Sequence, residues 1–144
     1  MIQEMSLDLF GERFAVLMPK PGAEEIKLAN ALVNDGEQNS VEGRRQQKYA
    51  EMAHSLIVNA ENDAHRTELA RIAAWHYEKS GAGFRRSSVS FESAAKIQED
   101  EKTRRRLLKK AGTAAELAMQ AELSVLEVTS GQKKRKGGSN NETG

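Results

Sequence analysis

The sequence has no cysteine among its 144 residues, only two prolines and one tryptophan, and 5% aromatic residues. Without cysteine there is no disulfide framework, no cysteine-based zinc site and no thiol nucleophile. No run of 18 apolar residues occurs, so no helix is expected to span a membrane. Glu4, Asp8 and Glu12 run through the first residues, which is not the basic-then-apolar order of a secretory signal. Apolar residues make up 38% of the chain, below the usual globular share of about 45–50%. Alanine is the commonest of them and buries little surface. Such a chain is expected to form long, thin helices that complete their burial against partners.

What is abundant is charge, and it is unevenly placed. The net charge is +1. Residues 1–40 hold seven acids and three bases, whereas residues 81–110 hold nine bases and four acids. An acidic start and a basic middle can align neighbouring subunits or attract polyanions. Mixed charge on a solvated helix face would give the same composition.

Local patterns predict an all-α chain: an elongated hairpin of two long helices, preceded by a short helix and an irregular apolar N-terminus. Residues 1–22 form an apolar docking segment carrying Leu7, Leu9, Phe10, Phe14, Val16, Leu17 and Met18, closed by Pro19 and Pro21. Residues 23–34 read as the short helix, with Glu24 and Glu25 in its first turn and Asp35-Gly36 as its stop. Residues 41–80 read as the first long helix, with Ser40 a candidate N-cap. At about 1.5 Å per residue it would span roughly 60 Å. Gly81 and Gly83 then supply the turn, and Ser87 or Ser88 caps a second long helix over 89–129. The helical domain is thus 23–129, and residues 130–144 are expected to be a flexible basic tail.

The cleanest periodicity lies in the second long helix. Leu107, Ala111, Ala114, Ala118, Ala121, Val125 and Val128 step by four and three, which makes a heptad seam. With Leu9, Phe10, Phe14, Leu17 and Trp75, these seam residues are candidates for an oligomer or docking interface. Tyr49, Trp75 and Tyr77 have the amphipathic rings of membrane-interface anchors, but aromatics at helical spacing are more often packed. Arg85, Arg86, Arg104, Arg105, Arg106, Lys109 and Lys110 form one basic cluster, and Lys133, Lys134, Arg135 and Lys136 another. Both are candidates for nucleic-acid or lipid contact through phosphate groups. No aromatics alternate with them, so base stacking on single strands is not supported. His54, His65 and His76 recur every 11 residues, which on one helix would put them on one stripe, too far apart to share a metal. No catalytic or nucleotide-binding motif occurs, so neither an enzyme activity nor a cofactor is expected.

One longer region carries a resemblance. Glu78-Lys79-Ser80-Gly81-Ala82-Gly83 is followed by Ser87-Ser88-Val89-Ser90-Phe91-Glu92-Ser93-Ala94-Ala95, then by Glu99-Asp100-Glu101 and Gly112. Over residues 45–123 this order resembles the small internal virion proteins, or ejection proteins, of short-tailed bacteriophages. The resemblance implies a structural protein stored inside the virion and moved to the host periplasm or envelope. There it would oligomerise into part of a DNA-ejection conduit. It also implies homo-oligomers and other virion proteins, such as the portal or further ejection proteins, as partners, with DNA and the host membrane as further contacts. The competing expectation, drawn from the basic cluster alone, is a helical nucleic-acid-binding adaptor in DNA packaging or head completion.

Overall fold

The computed structural model describes residues 22–143, with side chains to Gly131. It contains three long helices and, among the described residues, no strand: α1 (Ala23–Leu56), α2 (Asp63–Ile97) and α3 (Glu101–Thr143). The first two have 34 and 35 residues, so each is about 50 Å long. They run antiparallel in sequence. The central helix is α2. Both α1 and α3 pack along it and barely meet each other.

The all-helical expectation is met, but the breaks fall elsewhere. The helix expected over 23–34 does not stop at Asp35-Gly36; it runs on to Leu56. The helix expected over 41–80 is interrupted instead by a short 3-10 turn at Ile57–Asn59 and an extended Ala60. The turn expected at 80–88 lies inside α2, and the long helix expected over 89–129 begins at Glu101. The fold is therefore three long helices rather than a hairpin of two.

The chemistry of the true breaks explains their position. Asn62 is the N-cap of α2, and its side chain accepts a 2.8 Å bond from the His65 amide. Asp63 adds a carboxylate to the first turn, where the helix dipole favours it. Asp100 does the same for α3: its carboxylate accepts from the Thr103 amide at 2.9 Å and the Thr103 hydroxyl at 2.6 Å. Those two bonds hold the Asp100 carboxyl below its ordinary pKa.

Glycine and serine, taken from sequence as turn and cap residues, are packing residues here. Ala29, Gly36, Gly43 and Ala50 recur every seven residues and are buried on α1. Ala73, Ser80, Ser87 and Ala94 recur every seven on α2 and are fully buried. Facing seams this small let two backbones approach closely. A Cβ on Gly83 would lie 3.1 Å from the Asn39 carbonyl oxygen and 3.2 Å from the Gly43 backbone. One on Gly43 would lie 3.0 Å from the Phe84 ring, and one on Gly36 2.8 Å from Phe91. Gly36, expected as a helix stop, makes room for a phenyl ring.

The serine hydroxyls fill the remaining gap. Ser80 donates to the Gly43 carbonyl and Ser87 to the Gly36 carbonyl, each at 2.8 Å. Ser40 and Ser87 share a 2.7 Å bond, so Ser40 bridges helices rather than capping one. Ser90 donates to Asp35 at 2.6 Å. The α1–α2 seam thus sets small and polar residues beside the two buried rings of Phe84 and Phe91. The α2–α3 seam is apolar: Phe91, Ala94 and Ala95 pack with Leu107 and Ala111. At the other end, Val128, with Val125 partly buried, joins a cluster containing Ala73 and Tyr77.

Candidate functional site

The heptad seam expected in the second long helix is buried along α3: Leu107, Ala111, Ala114, Ala118, Ala121 and Val128 are all covered, with Val125 partly so. It is covered by this chain's own helices, α2 above all. It is therefore unavailable as the oligomer surface for which it was a candidate. Trp75 is different. It is about half exposed, stacked edge-on against His76 and covered on one face by the Lys79 ammonium at 5.0 Å. Leu9, Phe10, Phe14 and Leu17, with the rest of the docking segment, lie outside the described residues. So do the side chains of Lys133, Lys134, Arg135 and Lys136, whereas the backbone of residues 130–143, expected as a flexible tail, continues α3.

The basic cluster of the sequence divides in three. Arg85 is held by both oxygens of Glu122, each at 2.7 Å, and this pair lowers the Glu122 pKa and raises that of Arg85. Arg86 reaches Asn39 at 3.4 Å. Arg104 and Arg105 both pair with Glu101, at 3.1 and 3.2 Å. The remaining cations, Arg106, Lys109 and Lys110, gather on α3 beside Arg44 of α1. They rim a cleft of about 250 Å³ between α1 and α3, floored by Phe91, Ala114 and Leu117. Lys110 bonds Glu37 across the cleft at 2.5 Å and stands 5.4 Å over the Phe91 ring. Glu37 is the single acid among four bases there. Arg44 was missed from sequence because nothing there shows that α1 passes beside residue 106.

The three histidines do not share one helix, so only His65 and His76 keep a common stripe. His54 closes α1 and bonds the Tyr77 hydroxyl at 3.0 Å; His65 and His76 belong to α2. His76 bonds Gln46 at 2.6 Å and touches Tyr49. Among the described residues, no group of three histidine, aspartate or glutamate side chains could hold a metal. Among the same residues, no helix is long and apolar enough to cross a membrane.

No known protein family, curated protein or solved structure matches this chain. Functional interpretation therefore rests on what the chain buries and what it leaves outside. Among the described residues, eleven of the seventeen buried apolar residues are alanines. Leu69, Phe84, Phe91 and Leu107 are buried, but many large ones are outside: Tyr49, Met52, Leu56 and Val58 at the end of α1, Trp75 on α2, and Leu108, Met119, Leu123 and Leu126 on α3. Tyr77 is the exception among its aromatic neighbours. It is buried, and that burial, with Glu51 and Glu127 nearby, raises its phenol pKa. What the arrangement offers is two kinds of surface: a small cationic cleft and broad exposed apolar faces.

Proposed function

We propose that this chain is a non-enzymatic structural subunit that assembles with copies of itself, in the class of internal virion (ejection) proteins of short-tailed bacteriophages. In that role it is stored in the virion with other virion proteins and becomes part of a DNA-ejection conduit in the host envelope. The observation that carries the assembly reading is the distribution of bulk, with mostly alanine inside and many large apolar residues on the outer faces. Exposed apolar surface of that kind marks protein interaction sites. The virion class is supported by the residue order over 45–123. Its Gly81–Gly83 portion is a helix-crossing point rather than a turn, so the support lies in the order of residues and not in a shared turn.

Two properties suit the role. The absence of cysteine leaves no cross-link to block passage through a tail. The buried residues are mostly small, so separating the helices exposes little apolar surface per residue. Sedimentation and small-angle scattering test the assembly reading: concentration-dependent oligomers of elongated subunits are expected, and a compact monomer under all conditions overturns it. The virion class is tested separately, by mass spectrometry of purified phage particles before and after DNA release. The chain is expected in full particles and depleted from emptied ones; its absence from full particles overturns that class.

A second reading, a nucleic-acid-binding adaptor, is favoured by one specific observation, the four cations around the α1–α3 cleft. It predicts DNA binding that weakens steeply with salt and loses most of its slope in Arg44→Ala/Arg106→Ala/Lys109→Ala. A flat salt dependence removes it.

A further inference from the structure

The cleft between α1 and α3 holds cations that nothing among the described residues pairs with. Glu37 is bonded to Lys110, but Arg44, Arg106 and Lys109 form no ion pair there. Arg106 lies within electrostatic range of Asp100 without pairing with it. Between these cations the floor is apolar, made by Phe91, Ala114 and the half-buried Leu117. Such a surface is complementary to an occupant with acids at its ends and apolar side chains between them.

We propose that residues 8–12 of this chain fill the cleft, with Glu12 at Arg106, Leu9 and Phe10 on the apolar floor, and Asp8 at Arg44. Neither the assembly reading nor the virion class depends on this contact. Three observations select this segment over other occupants.

The first is charge in register. Residues 1–12 hold three acids, Glu4, Asp8 and Glu12, and no basic side chain. The Lys110–Glu37 bond sets residue 110 of α3 beside residue 37 of α1, and the two helices run the same way because both are antiparallel to α2. Arg106 is therefore level with Val33, which is about 16 Å along α1 from Arg44. The extended chain from Asp8 to Glu12 covers about 13 Å, and the long arginine side chains close the difference. Leu9, Phe10 and Gly11 between the two acids carry no charge.

The second observation is reach. Along α1 from Gly22, Val33 lies about 16 Å away and Arg44 about 33 Å. The chain from Glu12 to Gly22 can span about 33 Å and that from Asp8 about 46 Å, so both acids arrive with length to spare. Gly22 is extended where α1 begins. The residue before a proline disfavours helical geometry, so Pro19 and Pro21 mark where the chain can turn back. The third observation is the tether itself. A segment joined this closely meets the cleft at an effective concentration on the order of millimolar, far above that of a free partner. A filled cleft is closed to a phosphate backbone, so this contact competes with the nucleic-acid reading.

The cysteine-free sequence makes the test direct. In full-length chains, Gly11→Cys is combined with Thr113→Cys in the cleft or with Leu108→Cys on the outer face of α3, and each double variant is oxidised gently at low concentration. The tether reaches both helix positions, so only docking separates them. The disulfide within one chain is expected to form about tenfold faster or more at Thr113 than at Leu108. Arg44→Glu/Arg106→Glu is expected to remove that preference, and adding Asp8→Arg/Glu12→Arg to restore it. The four helix positions substituted are exposed, so circular dichroism should not change. Equal rates at Thr113 and Leu108 show tethered diffusion alone and overturn the proposal. A disulfide between chains rather than within one places a second copy's segment in the cleft and overturns it too. A charge swap that does not restore the preference removes Asp8 and Glu12 as the partners of these arginines, and the proposal fails with them.

Discussion

Gly83 and Gly112 are chemically the same residue in the middle of long helices, and they oppose each other in energetics. Gly83 lets α2 touch α1 backbone to backbone, and the atoms a Cβ would strike cannot swing away. Gly83→Ala gains about 1 kcal/mol of helix propensity but overpacks a rigid crossing, at about 1–3 kcal/mol. Net destabilisation is expected by urea unfolding. Gly112→Ala meets nothing and is expected to stabilise the single chain by up to about 1 kcal/mol in the same measurement. Equal effects from the two substitutions would show that α1 and α2 are not in close contact. The sequence separates these glycines only by periodicity. Gly36 and Gly43 belong to a seven-residue series with Ala29 and Ala50, and Ser80 and Ser87 to one with Ala73 and Ala94. Residue type alone suggests turns and caps at all of them, because glycine and serine serve both purposes.

At the scale of elements, helix type was legible and helix boundaries were not. The apolar α3 seam from Leu107 to Val128 could be read because alanine, leucine and valine stand out against charged neighbours. The α1–α2 seam could not, because small polar residues carry no hydropathy contrast. The real stops are marked by cap chemistry instead: Asn62 before α2 and Asp100 before α3. Asn62→Ala is expected to cost about 1 kcal/mol in chemical denaturation. The Asp100 cap carries a pH dependence of definite sign. Its folded pKa is lowered, so its stabilisation is complete above the unfolded carboxylate's pKa and fades as pH falls through the lower folded value. Asp100→Asn keeps a capping oxygen without the ionisation. Its melting temperature should therefore fall less than that of the wild type between neutral pH and about pH 3. Parallel declines would show that the cap contributes nothing to acid sensitivity. The candidate site was legible by half: Arg106, Lys109 and Lys110 follow from the basic run, whereas Arg44 becomes their neighbour only through the path of α1.

For the whole molecule, the difference between the two seams sets the order in which it comes apart. The central helix is shared, so losing it removes both interfaces, but α1 and α3 can leave independently because they barely touch each other. The α1 seam holds serine hydroxyls on carbonyls and the Phe84 and Phe91 rings seated on Gly43 and Gly36. Each such hydrogen bond is worth about 1 kcal/mol net, whereas uncovering a buried phenyl ring costs about 1.5–3 kcal/mol. The α3 seam is mostly alanine, with Leu107 and Val128 as its large buried members. Native-state hydrogen exchange is therefore expected to show α3 amides opening below the global unfolding energy, with α1 and α2 exchanging together near it. A subunit that enters a narrow passage by peeling off one helix while the other two stay paired would use this hierarchy. If α3 amides exchange only by global unfolding, the alanine seam is as strong as the aromatic one, and threading would have to begin at α1.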